Sequence, residues 1–332
     1  MIDKDRIVPF VKLGEHIYDI LKNSDRDFYR SIQNQNNWFT EESVRLALDG
    51  VASCLSEKAL TQWLAPYQLD GLSDKRVGVI MAGNIPMVGF HDLLSVLISG
   101  HRLMAKPSSQ DSLLIGMVIK ALVDIEPAFS KRIEIVERLN EADAFIGTGS
   151  DNSARYFQYY FGKKPHIIRQ NRTSVAVLTG DETIEQFQNL GKDIFTYYGL
   201  GCRNVSKVFV PKGYSFQSFL DALQGFDHVG DHHKYRNNYD YNKSIYLVNR
   251  VPHLDTGYLL LKESPDLVSP ISVLFYEEYQ DEKQLGLLLE QYKDKIQCIV
   301  GEGHVPFGTA QQPELWDYAD GVDTLKFLSQ LR

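Results

Sequence analysis

Apolar residues recur with two different periods along this chain, and the change between them divides the predicted structure. In residues 1–70 the apolar positions follow helical spacing, which predicts an N-terminal helical cover. From residue 76 short apolar runs alternate with helical patterns, giving strands at 77–81, 102–105, 133–136 and 144–146 and helices at 87–99, 111–123 and 151–160. Repeated strand and helix units of this length predict a parallel sheet with helices on both faces.

A second strand and helix region begins near residue 174. The pattern predicts strands at 175–178, 205–210, 245–248, 258–261, 273–276 and 296–300 and helices at 183–198, 216–223 and 282–292. The polar segment 230–242 between them is predicted to be a loop. We therefore predict an α/β fold with one domain at 1–173, a second at 174–300, and a C-terminal segment at 301–332 that packs back on the first.

Composition excludes several classes of function. The chain has 332 residues, 23% of them charged, and a net charge of −8, which argues against nonspecific nucleic-acid binding. The longest apolar stretch, at 87–98, is interrupted by polar residues and too short to span a bilayer. The N-terminus lacks the apolar core of a secretory signal, so export is not expected. Three widely spaced cysteines predict neither disulfides nor a metal site, and a reducing cytoplasm fits them best.

One of these cysteines, Cys202, lies between glycines and a predicted strand. Gly199 and Gly201 allow positive φ angles, so the sequence predicts that Cys202 is presented on a tight turn, as a nucleophile should be. The alternative is a buried thiol that packs as a small apolar side chain. Cys54 and Cys298 lie in apolar patterns and are predicted to be inert core residues.

Three loops follow strands of the first sheet, at the edge where open parallel sheets bind ligands. In the first loop Asn84 either donates a hydrogen bond to an oxyanion or caps the following helix. In the second, Lys106 either contacts a dinucleotide or is a solvated charge. The third, 147–150, offers backbone N–H groups to a phosphate but lacks the third glycine of the dinucleotide fingerprint.

Six segments taken together in this order resemble the landmark segments of the aldehyde dehydrogenase superfamily. They are Asn84-Ile85-Pro86, Lys106-Pro107-Ser108, Gly149-Ser150, Cys202, Pro270-Ile271 and Pro306-Phe307-Gly308. The resemblance covers about residues 76–310, and within the superfamily it is strongest to the LuxC-type fatty acyl-CoA reductases. It implies a Rossmann-type parallel sheet domain that binds a dinucleotide, at 1–173, and a second α/β catalytic domain that carries the cysteine, at 174–300.

The resemblance also implies roles for individual residues. Cys202 would attack an acyl carbonyl, while Asn84 and the Cys202 backbone N–H hold the oxyanion. Lys106 would bind the adenosine ribose, Gly149 would lie near the pyrophosphate, and Asp266 would bind the nicotinamide ribose in place of a glutamate. The implied cofactor-binding residues are Lys106, Ser108, Gly149, Ser150, Asp266 and Phe307.

Two departures from the superfamily pattern change the expected reaction. The glutamate that activates water in oxidising aldehyde dehydrogenases is missing from residues 168–172, which favours CoA over water because thiols ionise near pH 8.5. Ser109 replaces a second glutamate, which makes NADP(H) acceptable beside NAD(H). The expected activity is NAD(P)H-dependent reduction of a fatty acyl-CoA to an aldehyde through an acyl-cysteine. The alternatives are a hydrolytic aldehyde dehydrogenase and a catalytically idle relative that binds a nucleotide or an acyl carrier.

The remaining candidates carry less weight. His232 and His233, with Asp231 and Asp240, fit no recognised set of metal ligands, and no metal site is predicted. The proton donor is left open among His91, His166 and His304. By resemblance, a homodimer or a higher homo-oligomer is expected.

Overall fold

The computed structural model describes residues 4–72, 74–149 and 151–331. The chain divides into two compact units, one formed by Met1–Asn171 with Glu314–Arg332 and the other by Arg172–Pro313. Each unit has its own β-sheet, so each has its own core.

The N-terminal part of the first unit is helical, as the apolar spacing predicts. Its helices are α1 (Lys4–Asn23), α2 (Arg26–Gln35), α3 (Glu41–Cys54) and α4 (Glu57–Leu64). Asp25, Thr40 and Ser56 each accept a hydrogen bond from a backbone N–H in the first turn of α2, α3 and α4. Leu13 and Leu48 are fully buried on the apolar faces of α1 and α3.

A parallel sheet forms the rest of the first unit. Its strands are β1 (Arg76–Ile80), β2 (Arg102–Lys106), β3 (Ile133–Ile135), β4 (Ala144–Thr148) and β5 (His166–Arg169). The helices between and after them are α5 (Phe90–Ile98), α6 (Ser112–Ile125) and α7 (Asp151–Phe161), with α12 (Thr324–Ser329) near the C-terminus. In the described residues the strand order is β3-β2-β1-β4-β5 and every pair is parallel, which confirms the predicted parallel sheet.

The second unit contains a mixed sheet. Its strands are β6 (Thr173–Val177), β7 (Val205–Pro211), β8 (Leu254–Asp255), β9 (Leu260–Glu263), β10 (Val273–Tyr279) and β11 (Ile296–Val300). Its helices are α8 (Ile184–Phe195), α9 (Gln217–Ala222), α10 (His233–Val248) and α11 (Glu282–Tyr292). The described strands have the order β11-β6-β7-β10-β9-β8, with β8 antiparallel to β9.

Helix α10 corrects the sequence prediction for this region. Residues 245–248, predicted as a strand, and most of the predicted loop 230–242 belong to this one helix. Tyr235, Tyr239, Asn242 and Tyr246 recur at intervals of three or four residues and are buried on one side. The strand prediction relied on the short apolar run and overlooked these tyrosines, whose amphipathic rings fill the place of aliphatic core residues.

Strand β5 was missing from the predicted elements, and it places a charge in the interior. At its end Arg169 is buried, and its guanidinium donates to Asp92 Oδ2 of α5 at 2.6 Å and to Thr324 Oγ1 of α12 at 2.9 Å. Through this ion pair and this hydrogen bond, Arg169 connects β5, α5 and the C-terminal helix within the first unit.

The C-terminal segment is also held by an aromatic network. Tyr318 Oη accepts a hydrogen bond from Trp63 Nε1 at 2.8 Å and lies 2.8 Å from Tyr67 Oη. Tyr67 in turn donates to Asp323 Oδ2 at 2.8 Å. Buried tyrosine and tryptophan polar atoms need such partners, so the network fixes the segment against α4 and its C-terminal extension.

Removal of the Asp92 carboxylate should destabilise the protein strongly. Asp92→Ala leaves the buried Arg169 charge without its carboxylate, and we expect the free energy of unfolding in urea to fall by roughly 3 to 5 kcal/mol. Asp124→Ala removes an exposed ion pair with Lys120 and should cost less than about 1 kcal/mol. Equal effects of the two substitutions would contradict this account of the buried pair.

Candidate active site

The predicted site residues of the first unit follow neighbouring strands. Ile80 of β1 is in register with Lys106 of β2 and with Gly147 of β4. The three strand-end loops therefore start side by side at the carboxyl edge of the sheet, where α/β proteins bind ligands. Ser150, predicted near a pyrophosphate, lies outside the described residues.

The loop that carries Asn84 is longer than predicted. Helix α5 begins at Phe90 with Gly89 at its N-cap, so Asn84 does not cap this helix. Asn84 is exposed. The loop contains Met87 in a left-handed conformation, with φ 61°, and the Met87 N–H donates to Asp111 Oδ2 at 2.9 Å. Burial raises the pKa of the Asp111 carboxyl to about 7.

Ser108 packs directly against the Asn84 loop. A Cβ built on Gly83 would lie 2.6 Å from Ser108 Oγ, so only glycine fits at this position. The Ser108 hydroxyl also accepts a hydrogen bond from the Gln110 N–H at 3.2 Å. Its visible role is to shape the second loop, and its contact with a cofactor stays a prediction.

Lys106 and Gly149 occupy the other two loops. Lys106 is exposed, and its Nζ donates to the backbone oxygen of Glu137, beyond the end of β3, at 2.6 Å. The Gly149 N–H donates to the Arg169 carbonyl over 3.4 Å, and a Cβ at Gly149 would lie 2.8 Å from Ser153 Cβ. An exposed ammonium and a glycine that precedes a helix, on one sheet edge, fit the binding of a dinucleotide.

Cys202 lies on a turn at the start of β7, as the sequence predicts. Helix α8 ends at Phe195, earlier than predicted, because Tyr197, Tyr198 and Gly199 have φ angles of 53°, 58° and 78°. The following turn is closed by a hydrogen bond of 3.0 Å from the Asn204 N–H to the Gly201 carbonyl. Cys202 is half-buried within this turn.

Asn204, which is not among the site residues predicted from the sequence, fixes the turn to the end of α8. Its side chain is buried, and Oδ1 accepts from the Gly201 N–H at 2.8 Å. Nδ2 donates to the carbonyls of Asp193, Ile194 and Thr196 at 3.0, 3.3 and 2.8 Å. The available signal was an asparagine two residues after the cysteine, between a glycine turn and a strand.

Ser174 of β6 supports the same turn from the neighbouring strand. Its buried hydroxyl donates to the Cys202 carbonyl at 3.1 Å and accepts from the Cys298 N–H at 3.2 Å. Cys298 Sγ lies 3.0 Å from Ser174 Oγ, and burial raises the pKa of this thiol. Cys54 and Cys298 were predicted to be core residues, and this prediction is wrong because both side chains are only half-buried.

Asp193 of α8 holds the loop that contains Phe307. This carboxylate is fully buried, with Oδ2 2.6 Å from the Gly308 nitrogen and Oδ1 3.0 Å from the Ala310 nitrogen, and it accepts a hydrogen bond from each. Burial raises the pKa of Asp193 to about 6. Since Asn204 donates to the Asp193 carbonyl, the Phe307 loop and the Cys202 turn are anchored at the same end of α8.

The segment that carries Asp266 is anchored to β7. Buried Lys207 donates to the Pro265 carbonyl at 3.1 Å and pairs with Glu277, and Ser206 Oγ donates to the Leu267 carbonyl at 3.0 Å. Asp266 itself is exposed. The candidate residues of the second unit therefore lie on loops held by α8 and by the first residues of β7.

The structure places the histidines in different surroundings. The His91 and His166 rings hydrogen-bond to the carbonyls of Leu315 and Lys164, and His304 is exposed. The ring centroids of His232 and Tyr198 are 4.5 Å apart, and Tyr198 lies four residues before Cys202 in the chain. Among the described residues no group of three or more His, Cys, Asp or Glu side chains is placed to hold a metal ion.

No protein-family model matches this chain, and no curated protein matches it. Its structure is similar to solved structures of aldehyde dehydrogenases. An NAD-dependent enzyme from Sinorhizobium meliloti has 13% identity and a TM-score of 0.65, with 89% of this chain and 69% of the other covered. The NAD+ complex of an enzyme from Bacillus cereus has 13% identity and a TM-score of 0.62, with 90% and 72% covered.

A variant of aldehyde dehydrogenase C from Pseudomonas syringae, solved with NAD+ and octanal, has 12% identity and a TM-score of 0.61, with 85% and 69% covered. This chain has the aldehyde dehydrogenase-like fold. In its described part, no helix has the length and apolar character needed to cross a membrane. The similarity to these solved structures and the two observed sheets confirm the predicted α/β architecture.

Within this aldehyde dehydrogenase-like fold, loss of the Asn204 donors should destabilise the second unit. Asn204→Asp keeps the shape but points a carboxylate at carbonyl oxygens, and we expect the free energy of unfolding to fall by roughly 3 kcal/mol. Asn249→Asp is the matched control, because Asn249 Nδ2 also donates to a helix carbonyl, at 3.0 Å, but is exposed. Urea unfolding of both variants measures the difference, and a loss at Asn204 no greater than at Asn249 would refute the anchoring role.

The raised pKa of Asp193 predicts a dependence of stability on pH. Because its folded-state pKa lies above the unfolded value, its stabilising contribution is complete at low pH and is lost as the pH rises through about 6. Asparagine does not ionise, so the advantage of wild type over Asp193→Asn should shrink by about 2 kcal/mol between pH 4 and pH 7. The free energy of unfolding in urea, measured from pH 4 to pH 7, tests this expectation. Asp240→Asn changes the net charge in the same way at an exposed position and is the control. A stability difference between wild type and Asp193→Asn that stays constant from pH 4 to pH 7 would contradict the raised pKa of Asp193.

Proposed function

We propose that this protein is an NAD(P)H-dependent acyl-CoA reductase that carries the acyl group on Cys202. The observation that carries the proposal is the turn between α8 and β7, which presents a half-buried thiol in the aldehyde dehydrogenase-like fold. Several buried groups hold this turn, and they include Asn204 and Ser174. A nucleophile that must meet a carbonyl at a fixed angle requires such support.

The geometry of the turn supports an oxyanion role for the Cys202 backbone N–H. The Gly201 carbonyl accepts from the Asn204 N–H inside the turn. In a trans peptide the C=O and N–H of one peptide group point in opposite directions, so the Cys202 N–H is directed out of the turn. We assign this N–H and the Asn84 carboxamide as the donors to the oxyanion that forms when the thiol attacks.

Residues 168–172 support CoA rather than water as the acyl partner. The segment contains no carboxylate, and its Arg169 side chain is held in the buried pair with Asp92. Without a base to activate water, hydrolysis of a thioester is disfavoured, whereas a thiol ionises near pH 8.5 without such help. We therefore favour acyl exchange with CoA over a hydrolytic reaction.

The proposed cofactor site uses the carboxyl edge of the first sheet. Lys106 would contact the adenosine ribose and Gly149 the pyrophosphate, with Ser108 beside them. The resemblance also implies that Asp266 binds the nicotinamide ribose and that Phe307 lines the substrate or nicotinamide pocket. Ser109 adds no carboxylate that would repel a ribose 2′-phosphate, so NADPH is accepted as well as NADH. The chemistry supplied by a bound reduced nicotinamide is a hydride.

In the proposed reaction the Cys202 sulfur attacks the acyl carbonyl, the carbon–sulfur bond to CoA breaks, and CoA leaves as a thiolate. Hydride addition to the acyl-cysteine gives a thiohemiacetal on Cys202. Its carbon–sulfur bond then breaks, the aldehyde leaves, and the Cys202 thiolate is restored. One acyl-CoA, one hydride and one proton give one aldehyde and one CoA. The LuxC-type resemblance and the octanal complex of the Pseudomonas syringae enzyme support a fatty acyl chain.

The test follows nicotinamide absorbance and intact protein mass together, with acyl-CoAs of several chain lengths and either NADH or NADPH. Wild type should gain one acyl group without cofactor and should release aldehyde and CoA in equal amounts with it. Cys202→Ala should do neither, because it lacks the attacking sulfur. Cys54→Ala, which removes a thiol whose pKa burial raises to about 11, is the control and should behave as wild type.

Two outcomes would overturn the proposal. Aldehyde production from acyl-CoA by Cys202→Ala would exclude the acyl-cysteine route. Rapid CoA-independent conversion of an aldehyde to a carboxylate by wild type would instead favour a hydrolytic aldehyde dehydrogenase.

A further inference from the structure

Asp111 has no role in the mechanism above, yet it is one of the most deeply buried acids in the first unit. It precedes α6 and is 1% exposed. Although it occupies the N-cap position, its side chain makes no capping hydrogen bond to α6. Its Oδ2 instead accepts from the Met87 N–H, 24 residues earlier in the chain, at 2.9 Å. Its visible contact is therefore with the Asn84 loop and not with its own helix.

The Asn84 loop needs this contact because its backbone is strained. Met87 has φ 61°, a left-handed conformation that costs a residue with a Cβ roughly 1 to 2 kcal/mol. Gly83 is fixed on the other side of Asn84, against Ser108 and by a hydrogen bond of 3.4 Å from Asn36 Nδ2 to its carbonyl. Asn84 is thus carried between two anchored points, Gly83 and Met87.

Stability alone does not explain a buried polar side chain at this position. Asp111 Oδ1 is buried and has no hydrogen-bond partner among the described residues. A buried carboxyl with an unsatisfied oxygen costs free energy that an apolar side chain of similar size would not. Sites that retain such a cost are often functional, because the geometry they impose is needed for chemistry.

We infer that Asp111 is a positioning residue that orients Asn84 toward the oxyanion by holding the Met87 N–H. This inference rests on the proposed function. Asp111 acts through the loop backbone and does not touch substrate. The loop requires from Asp111 only a hydrogen-bond acceptor at the position of Oδ2. We therefore expect that the amide oxygen of an asparagine can do the same work as the carboxylate.

The experiment compares two substitutions at one position. Asp111→Asn keeps an acceptor for Met87, and its kcat with acyl-CoA should stay within about twofold of wild type. Asp111→Leu removes the acceptor and should lower kcat about ten- to hundredfold with the cofactor KM unchanged, approaching the loss caused by Asn84→Ala. Val118→Ala, a buried substitution in the same helix, is the control for lost stability and should leave kcat near wild type.

Hydrogen exchange of residues 82–90 provides a readout that does not depend on activity. The Met87 amide should exchange slowly in wild type and Asp111→Asn and rapidly in Asp111→Leu. Fast exchange in wild type would overturn the inference, and this measurement requires no variant to fold. An Asp111→Asn protein as impaired as Asp111→Leu, or an Asp111→Leu protein with wild-type kcat, would also overturn it. If wild type reduces no acyl-CoA, the proposed function fails while the exchange pattern still decides whether Asp111 holds the loop.

Discussion

The hydrogen bonds of the Asn204 carboxamide fix the position of the candidate nucleophile. A helix leaves its last carbonyl groups without partners, and in the interior these groups must be satisfied. Asn204 Nδ2 satisfies carbonyls at the end of α8, and its Oδ1 takes the Gly201 N–H. One side chain thus joins the end of α8 to the turn that presents Cys202, directly before β7 begins at Val205.

Two buried acids hold other loops in place by accepting hydrogen bonds from their backbone N–H groups. Asp193 accepts the Gly308 and Ala310 N–H groups of the Phe307 loop, and Asp111 accepts the Met87 N–H of the Asn84 loop. Gly308 and Met87 both have positive φ angles, 84° and 61°. The raised pKa of each acid shows that burial outweighs these hydrogen bonds. The loops are therefore held at a cost in stability that increases with pH.

The residues of the candidate site could be predicted from the sequence, but the residues that hold their loops in place could not. Cys202 on a glycine turn and Lys106 at a strand end were found because glycine, apolar runs and strand ends are local signals. Asn204, Ser174 and Asp193 were missed because their partners lie on other elements of the fold. The capping alternative for Asn84 was settled only when the structure put the start of α5 at Phe90.

The same division applies to the fold. The sequence by itself determined four of the five strands of the parallel sheet in the first unit and helix α11, because hydrophobic period is set by residues close in the chain. Only the tertiary structure decided that residues 245–248 are helical, because Tyr239 and Tyr246 of α10 are buried in one cluster with residues of β9 and β10. It also decided that Arg169 is an interior charge, since a strand can bury an arginine only where a distant Asp92 neutralises it. Long-range partners of this kind leave no trace in local sequence.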